Sequence, residues 1–254
     1  MSDNSRISFK AVVFDLFDTI VTWDPKRLPA MEWKGRQIHS TMPWIFEAAE
    51  SALGARYQQD AFIRAYITTL DEVHTERNSQ LTEITCHERF VRTLARLEVD
   101  QADRRGIAER LTRIHMGGVR SVTAAPPARI EAVKRIALRY RLGLVSNFDD
   151  SQAGYEIMLD TGVRELFEAI IISADVGMRK PNPLIFKRVM EMMRLDAHDI
   201  LFVGDTPHDD VLGAKQVGMH VAWIRRADKE IPEGVPAPDF IIDDLSELPD
   251  LIGC

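Results

Sequence analysis

Cysteine, long apolar runs and clustered positive charge are scarce in this 254-residue sequence. Its two cysteines, Cys86 and Cys254, lie far apart and show no metal-ligand spacing, which argues against both a disulfide framework and a zinc site. No apolar run approaches the roughly 20 residues that a membrane span needs, and the opening MSDNSRISFK lacks the apolar core of a signal peptide. We therefore expect a cytoplasmic protein without a membrane partner.

The charge balance restricts the class of partner. A net charge of −7 without a long Lys/Arg run argues against a nucleic-acid partner, so a small molecule is expected. With 45% hydrophobic and 28% charged residues, the composition is that of a globular protein with one large domain, or one domain and a sizeable insert. No feature of the sequence predicts an oligomeric state.

Six short apolar runs that end in polar residues predict the buried parallel strands of an α/β sheet. They are AVVFD (11–15), LGLVSN (142–147), AIIISAD (169–175), DILFVGD (199–205), HVAWI (220–224) and DFIID (239–243). Between the later runs lie helical patterns that begin near Pro127 and Pro183, and a shorter one that ends at Gly218. This alternation predicts a doubly wound parallel sheet.

Residues 23–123 follow a different pattern, because apolar residues recur there at helical spacing. No strand is predicted in this segment, which lies between the first predicted strand and the second. Within it, MEWKGRQIHSTMPWIF (31–46) either lines a substrate pocket or forms an amphipathic helix. We therefore predict a helical insert, residues 23–123, in a core made of residues 1–22 and 124–254.

Polar side chains collect where the predicted strands end. Asp15, Ser146, Asn147 and Asp205 stand at strand ends, and Lys180 follows the third run within a few residues. Because parallel strands share a direction, their carboxyl ends form one edge of the sheet, where ligands bind. Crowded carboxylates repel one another unless cations compensate them. Oxygen ligands without histidine or cysteine favour Mg²⁺ over zinc, and Lys180 supplies a further positive charge.

Four motifs in this order resemble those of the haloacid dehalogenase superfamily with a helical cap of the C1 type. They are FDLFDT (14–19), LVSN (144–147), MRKPNPLIF (178–186) and VGDTPHDDVLGA (203–214), with a helical insert after the first. The resemblance covers nearly the whole chain, and the combination of motifs is far more specific than any one of them. It implies a Rossmann-like core, Mg²⁺ and a covalent mechanism.

The resemblance implies a role for each matching residue. Asp15 is the nucleophile, Lys180 stabilises negative charge on the transferred group, and Ser146 binds phosphoryl oxygens. The implied Mg²⁺ ligands are Asp15, the backbone carbonyl of Phe17, Asp205 and Asp210.

Three further residues have open roles. Asp210 aligns best as the second acid of the fourth motif, but Asp209 is adjacent and able to take its place. Thr19 is a candidate substrate contact or a turn cap. Asn147 either touches substrate or is an ordinary turn residue.

The first motif departs from the pattern at Phe17. Phosphatases of the superfamily usually carry there a second aspartate, which serves as general acid and base for the leaving group. Asp18 is one residue too late, and is either a turn acceptor or a displaced acid. A missing acid should cost on the order of 10²–10⁴ in rate for a poor leaving group. The 2-haloacid dehalogenases also have an aromatic residue at this position, and a halide leaves without a proton.

The fourth motif favours phosphate chemistry over dehalogenation. Its two or three acids suit Mg²⁺, whereas the dehalogenases resemble a variant with serine and asparagine there. We therefore predict an Mg²⁺-dependent phosphatase that acts on a small phosphorylated metabolite through an aspartyl-phosphate. The alternatives are a 2-haloacid dehalogenase that uses the same aspartate, and a catalytically weak member that binds a phosphorylated ligand.

Overall fold

The computed structural model describes residues 8–33, 35–54, 58–227 and 229–254. By contacts the chain divides into two compact units. The first unit comprises Met1–Thr22, Ala125–Asn147 and Met158–Cys254; the second comprises Trp23–Ala124 and Phe148–Ile157. The predicted domain boundaries stay a prediction. The division by contacts differs from them mainly because it groups residues 148–157 with the insert.

The described residues form strands and helices in the following chain order. The strands are β1 Ala11–Phe14, β2 Thr22–Trp23, β3 Ala30–Trp33, β4 Arg36–His39, β5 Thr123–Ala124, β6 Arg141–Ser146, β7 Phe167–Ile172, β8 Ile200–Gly204, β9 His220–Ile224 and β10 Phe240–Ile242. The α-helices are α1 Met42–Leu53, α2 Gln59–Gln80, α3 Cys86–Arg96, α4 Gln101–Ser121, α5 Pro127–Ala137, α6 Ser151–Asp160, α7 Ser173–Val176, α8 Pro183–Met193, α9 Gly213–Gln216 and α10 Leu248–Ile252. A π-helical segment, Pro207–Leu212, precedes α9. None of the described helices is long and apolar enough to cross a membrane.

A six-stranded sheet organises the first unit, in the order β10-β9-β8-β1-β6-β7. Every neighbouring pair is parallel, and Phe14 at the end of β1 lies opposite Leu144 and Val203. Numbered from one to six along the chain, the strands of this sheet lie in the order 6-5-4-1-2-3. This is the strand order of a Rossmann-like fold, with the switch point between β1 and β8. The predicted parallel α/β core is therefore confirmed.

Close helix packing brings the fourth motif against the third. Ile185, Phe186 and Val189 of α8 are fully buried in the core cluster beneath the sheet. Gly213 begins α9 at the point of closest approach, because a Cβ there would lie 2.5 Å from the Phe186 ring and 3.0 Å from the Cα of Pro181. Only glycine allows this spacing, which helps to fix where the third and fourth motifs meet.

The second unit is mainly helical, and α1, α2, α3 and α4 enclose its apolar core. The prediction of a strand-free insert is wrong, because β3 and β4 form an antiparallel hairpin in which Ala30 pairs with His39. Every residue of β4 is exposed, so no buried apolar alternation marks it in the sequence. The helical interpretation of 31–46 is wrong as far as residue 39, since α1 begins at Met42. Lys34 lies outside the described residues.

Candidate active site

Three buried carboxylates meet at the switch point of the first unit's sheet. Asp15 follows β1 and Asp205 follows β8, while Asp210 lies in the π-helical segment. The side chains offer carboxylate oxygens that lie within 4.8 Å of one another, and the residues are only 7%, 3% and 1% exposed. Backbone contacts hold the strand ends, since Asp15 N–H donates to the Val203 carbonyl at 2.8 Å and the Trp223 indole donates to the Asp205 carbonyl at 3.0 Å.

Lys180 joins two of these carboxylates. Its ammonium, 2% exposed, donates to Asp15 Oδ1 at 2.6 Å and to Asp210 Oδ1 at 2.7 Å. Asp210 Oδ2 accepts the Thr206 N–H at 2.8 Å, so both oxygens of Asp210 have donors. Gly204 leaves room for this carboxylate, because a Cβ there would lie 2.4 Å from Asp210 Cγ.

The two adjacent acids of the fourth motif therefore have different surroundings. Asp210 belongs to the buried group, whereas the Asp209 side chain is 28% exposed. Asp209 Oδ2 accepts from Asn147 Nδ2 at 3.0 Å, and Oδ1 lies 3.1 Å from His208 Nδ1. The geometry favours Asp210 over Asp209 as the second acid, although the assignment of ligands stays a prediction.

Burial and charge shift the ionisation of this group. Burial raises the pKa of Asp15 to about 7, although Lys180 opposes the rise. Burial also raises the pKa of Asp210. Burial by itself would lower the pKa of Lys180, but Asp15 and Asp210 outweigh it and raise that pKa, so the ammonium stays protonated. The Lys180 ammonium by itself does not compensate three carboxylates, so the group attracts further positive charge.

Two basic residues after β9, which the four motifs do not include, also reach the acids. Lys229 Nζ lies 2.6 Å from Asp205 Oδ2 and donates to Thr206 Oγ1 at 2.9 Å. Arg226 Nη1 lies 2.8 Å from Asp18 Oδ1 and 3.8 Å from Asp205 Oδ2. The signal that reveals them is the run IRRADK (224–229) directly after a predicted strand, where the same strand-end argument applies.

Asp18 lies in the turn that follows β1. Asp18 has a φ of 58°, the left-handed region that aspartate tolerates better than most residues. The Arg129 guanidinium donates to the backbone carbonyls of Asp18 and Thr19 at 3.0 and 3.1 Å. Since the Asp18 carboxylate pairs with Arg226, the described contacts match those of a turn residue.

Two buried hydroxyls, each one residue along the chain from Asp18 or Asn147, lack a hydrogen-bond partner among the described residues. They are Thr19 Oγ1 and Ser146 Oγ. Both residues are 0% exposed. Buried hydroxyls are normally hydrogen-bonded, so each of these two groups is able to donate to a bound polar ligand.

A pocket of about 220 Å³ in the first unit adjoins the acids, and it is lined in part by Asp15, Phe17, Lys180, Asp205 and Lys229. It is smaller than the roughly 300–1,000 Å³ of pockets that enclose whole organic ligands, so it suits a group of phosphate size. The donor set of carboxylate oxygens without histidine or cysteine fits Mg²⁺ and not a structural zinc ion. Phe17, Asn147 and Asp209 border the same pocket.

Comparison with known proteins identifies the class. A family model for haloacid dehalogenase-like hydrolases matches residues 9–218. The chain therefore belongs to the haloacid dehalogenase-like hydrolases, and it is a hydrolase. The superfamily resemblance read from the motifs is confirmed.

Individual relatives are similar to this chain at low sequence identity. The chain is 28% identical over 179 residues to the pyrimidine 5′-nucleotidase YjjG of Escherichia coli, covering 69% of this chain and 75% of that protein. It is 36% identical over 100 residues to the glyceraldehyde 3-phosphate phosphatase of Pyrococcus abyssi, covering 39% of this chain and 42% of the relative. The crystal structure of a 2-haloacid dehalogenase from Pseudomonas syringae shares the fold, with a TM-score of 0.69 at 21% identity over 96% of this chain and 98% of that one.

Proposed function

We propose that the protein is an Mg²⁺-dependent phosphatase that acts on a small phosphorylated molecule through a covalent intermediate on Asp15. The observation that carries this proposal is the buried Lys180 ammonium between Asp15 and Asp210, in one acidic group with Asp205. Phosphoryl transfer requires a nucleophile surrounded by groups that stabilise the oxygens of the transferred phosphate. The site supplies both.

The reaction would proceed in two displacements. An Asp15 carboxylate oxygen attacks phosphorus as the bond to the leaving oxygen breaks, and the leaving oxygen takes a proton from water because Phe17 offers none. Water then attacks the aspartyl-phosphate, which returns the Asp15 carboxylate and releases inorganic phosphate. The Lys180 ammonium stabilises charge on the phosphoryl oxygens, and the Ser146 and Thr19 hydroxyls donate to them.

The acids would hold the metal ion. Asp15, the Phe17 carbonyl, Asp205 and Asp210 are the proposed ligand groups, with Asp209 as the alternative to Asp210. When bound, Mg²⁺ would neutralise charge on the phosphoryl oxygens. Lys180 pairs with Asp15 and Asp210 and Lys229 pairs with Asp205, so a metal ion would share each of these acids with an ammonium group.

The relatives support a phosphorylated small-molecule substrate. The Escherichia coli relative is named a nucleotidase and the Pyrococcus relative a phosphatase, and both names describe the release of phosphate from a small molecule. The chain spans less than half of the second relative, so the particular substrate is not carried over. A cytoplasmic location stays a prediction.

Phe17 supports a second candidate, a 2-haloacid dehalogenase that uses the same nucleophile. The pocket border carries this aromatic side chain where phosphatases of the superfamily have an acid. A halide needs no proton to leave, so the missing acid would carry no cost in that reaction. The acidic fourth motif argues for the phosphatase, since dehalogenation has no use for a metal-binding group of three carboxylates.

One experiment separates the candidates. Purified protein is assayed with p-nitrophenyl phosphate in the presence and absence of Mg²⁺, and in parallel for chloride release from 2-chloropropionate. We expect Mg²⁺-dependent release of p-nitrophenol and no chloride. Asp15→Asn is the control for both, because an amide cannot attack phosphorus or carbon. Chloride release without phosphate hydrolysis would favour the dehalogenase, and binding of phosphate without turnover would favour the catalytically weak alternative.

A further inference from the structure

Both the oxygen and the nitrogen of the Asn147 side-chain amide form hydrogen bonds with other residues of the protein. Its Oδ1 accepts the backbone N–H of Lys180 at 2.7 Å. Its Nδ2 donates to the backbone carbonyl of Lys180 at 3.0 Å and to Asp209 Oδ2 at 3.0 Å. An asparagine amide has two N–H donors, and both have acceptors here. The side chain therefore has no N–H left to donate to a phosphoryl oxygen.

These contacts fix the backbone of the residue whose ammonium bridges the carboxylates. A lysine side chain is long and flexible, so the position of its ammonium is well defined only if both the backbone and the ammonium are held by partners. Asp15 and Asp210 hold the Lys180 ammonium, and Asn147 holds the Lys180 backbone through both its N–H and its carbonyl. A shift of the backbone would move the ammonium relative to the nucleophile.

The same amide also joins three of the four motifs. Asn147 ends the second motif, Lys180 belongs to the third and Asp209 to the fourth. Its hydrogen bonds therefore connect the loop after β6, the loop before α8 and the start of the π-helical segment.

We propose that Asn147 is a positioning residue, which acts through Lys180 and not by contact with substrate. This inference rests on the proposed function, in which Lys180 stabilises the transferred phosphoryl group. It gives Asn147 a role distinct from the substrate contact suggested by its motif. Its loss should weaken stabilisation of the transition state more than binding of the substrate.

Steady-state kinetics test this role with Asn147→Ala. We expect kcat for p-nitrophenyl phosphate to fall about 10-fold or more while KM changes less than about threefold, the pattern of an interaction that matters chiefly in the transition state. Asn182→Ala is the matched control. Asn182 lies in the same loop, but its side chain caps α8 by accepting the Leu184 N–H at 3.0 Å and makes no described contact with Lys180. A rise in KM with kcat unchanged would overturn the proposal, because it would make Asn147 a substrate contact.

Amide exchange provides a readout that does not require turnover. Hydrogen–deuterium exchange resolved to the Lys180 amide should be faster in Asn147→Ala than in wild type, and unchanged in Asn182→Ala. Asn147→Leu keeps the size but neither accepts nor donates a hydrogen bond, so exchange at Lys180 should be as fast as in Asn147→Ala, and it replaces the alanine variant if that variant does not fold. Unchanged exchange at Lys180 in Asn147→Ala would disprove the proposal. If the wild type hydrolyses no phosphate ester, the proposed function fails, but this measurement still decides whether Asn147 holds the Lys180 loop.

Discussion

At the scale of single residues, the turn after β1 separates two acids that the sequence sets three positions apart. Asp15 ends against Lys180 in the buried group, whereas the Asp18 carboxylate pairs with Arg226. Phe17 lies between them and borders the pocket without an ionisable group. The described contacts therefore provide a nucleophile but no obvious proton donor for a leaving group.

The first prediction concerns this missing donor. The wild type should hydrolyse p-nitrophenyl phosphate faster than glycerol 2-phosphate by on the order of 10²–10⁴, because an alkoxide needs a proton to leave. Phe17→Asp should reduce the difference in rate between the two esters. Phe17→Asn should not reduce it, because asparagine has the size of aspartate but no acid group. Asp18→Asn should change both rates less than about threefold, since the loss of one partly exposed ion pair is a small effect. Similar rates on both esters in the wild type, lost in Asp18→Asn, would instead identify Asp18 as the acid.

The second prediction concerns Lys229. Its ammonium lies 2.6 Å from Asp205 Oδ2, so it competes with a divalent cation for that oxygen and repels the cation's charge. Lys229→Gln should therefore tighten Mg²⁺ binding by about tenfold, the scale expected for a partly screened unit charge at close range. Isothermal titration calorimetry measures this without substrate. Lys215→Gln is the matched control, because Lys215 pairs with Asp239 at 2.5 Å and not with the acidic group. Weaker Mg²⁺ binding in Lys229→Gln would show that the lysine supports the site.

At the scale of elements, a buried ion cluster connects two helices of the second unit. Asp149 Oδ2 lies 2.6 Å from Arg89 Nη1 on α3 and 3.0 Å from Arg77 Nη2 on α2, and its backbone carbonyl accepts the Cys86 N–H at the start of α3. Burial by itself would raise the pKa of Asp149, but the two guanidinium groups outweigh it and hold that pKa below its usual range. The segment 148–150 is thus attached to α2 and α3 by charge as well as by packing.

The third prediction follows from this cluster. Asp149→Ala leaves two largely buried arginines without their shared carboxylate, so it should lower the free energy of unfolding by about 3–5 kcal/mol. Glu72→Ala removes an exposed pairing with Arg96 between the same two helices and should cost less than about 1 kcal/mol. Urea denaturation of both variants checks the difference. Equal losses would mean that the buried cluster contributes no more than a surface ion pair.

At the scale of the whole molecule, the sequence predicts best where burial is complete. Strands β1 and β8 were predictable because every one of their residues is buried, which leaves continuous apolar runs such as Ile200–Gly204. The β3–β4 hairpin could not be predicted, since every residue of β4 is exposed and the strand carries no buried apolar alternation. In the candidate site, Asp15 and Asp205 could be predicted because each directly follows a strand. The hydrogen-bond partners of Asn147 could not be predicted, because they lie in loops that are far apart in sequence.

The last prediction concerns the stability of the protein in acid. His115 on α4 lies 2.6 Å from Thr41 Oγ1, and burial, with help from Arg89, lowers its pKa from 6.5 to about 4, although Asp149 opposes the shift. Between these values the unfolded chain binds a proton that the folded chain does not, so stability is full above pH 6.5 and falls as the pH approaches 4. The full shift corresponds to roughly 3 kcal/mol, and because His115 keeps some exposure we expect a loss of about 1–3 kcal/mol.

His115→Gln tests this assignment, since glutamine can still hydrogen-bond to Thr41 but does not titrate. Urea denaturation at pH 7 and at pH 4.5 should show a smaller loss of stability on acidification for this variant than for the wild type. His74→Gln, a change at an exposed histidine on α2, should leave the acid-dependent loss as it is in the wild type. An identical pH dependence in His115→Gln and wild type would assign the acid sensitivity to other groups, because the proton uptake that drives it would then not occur at His115.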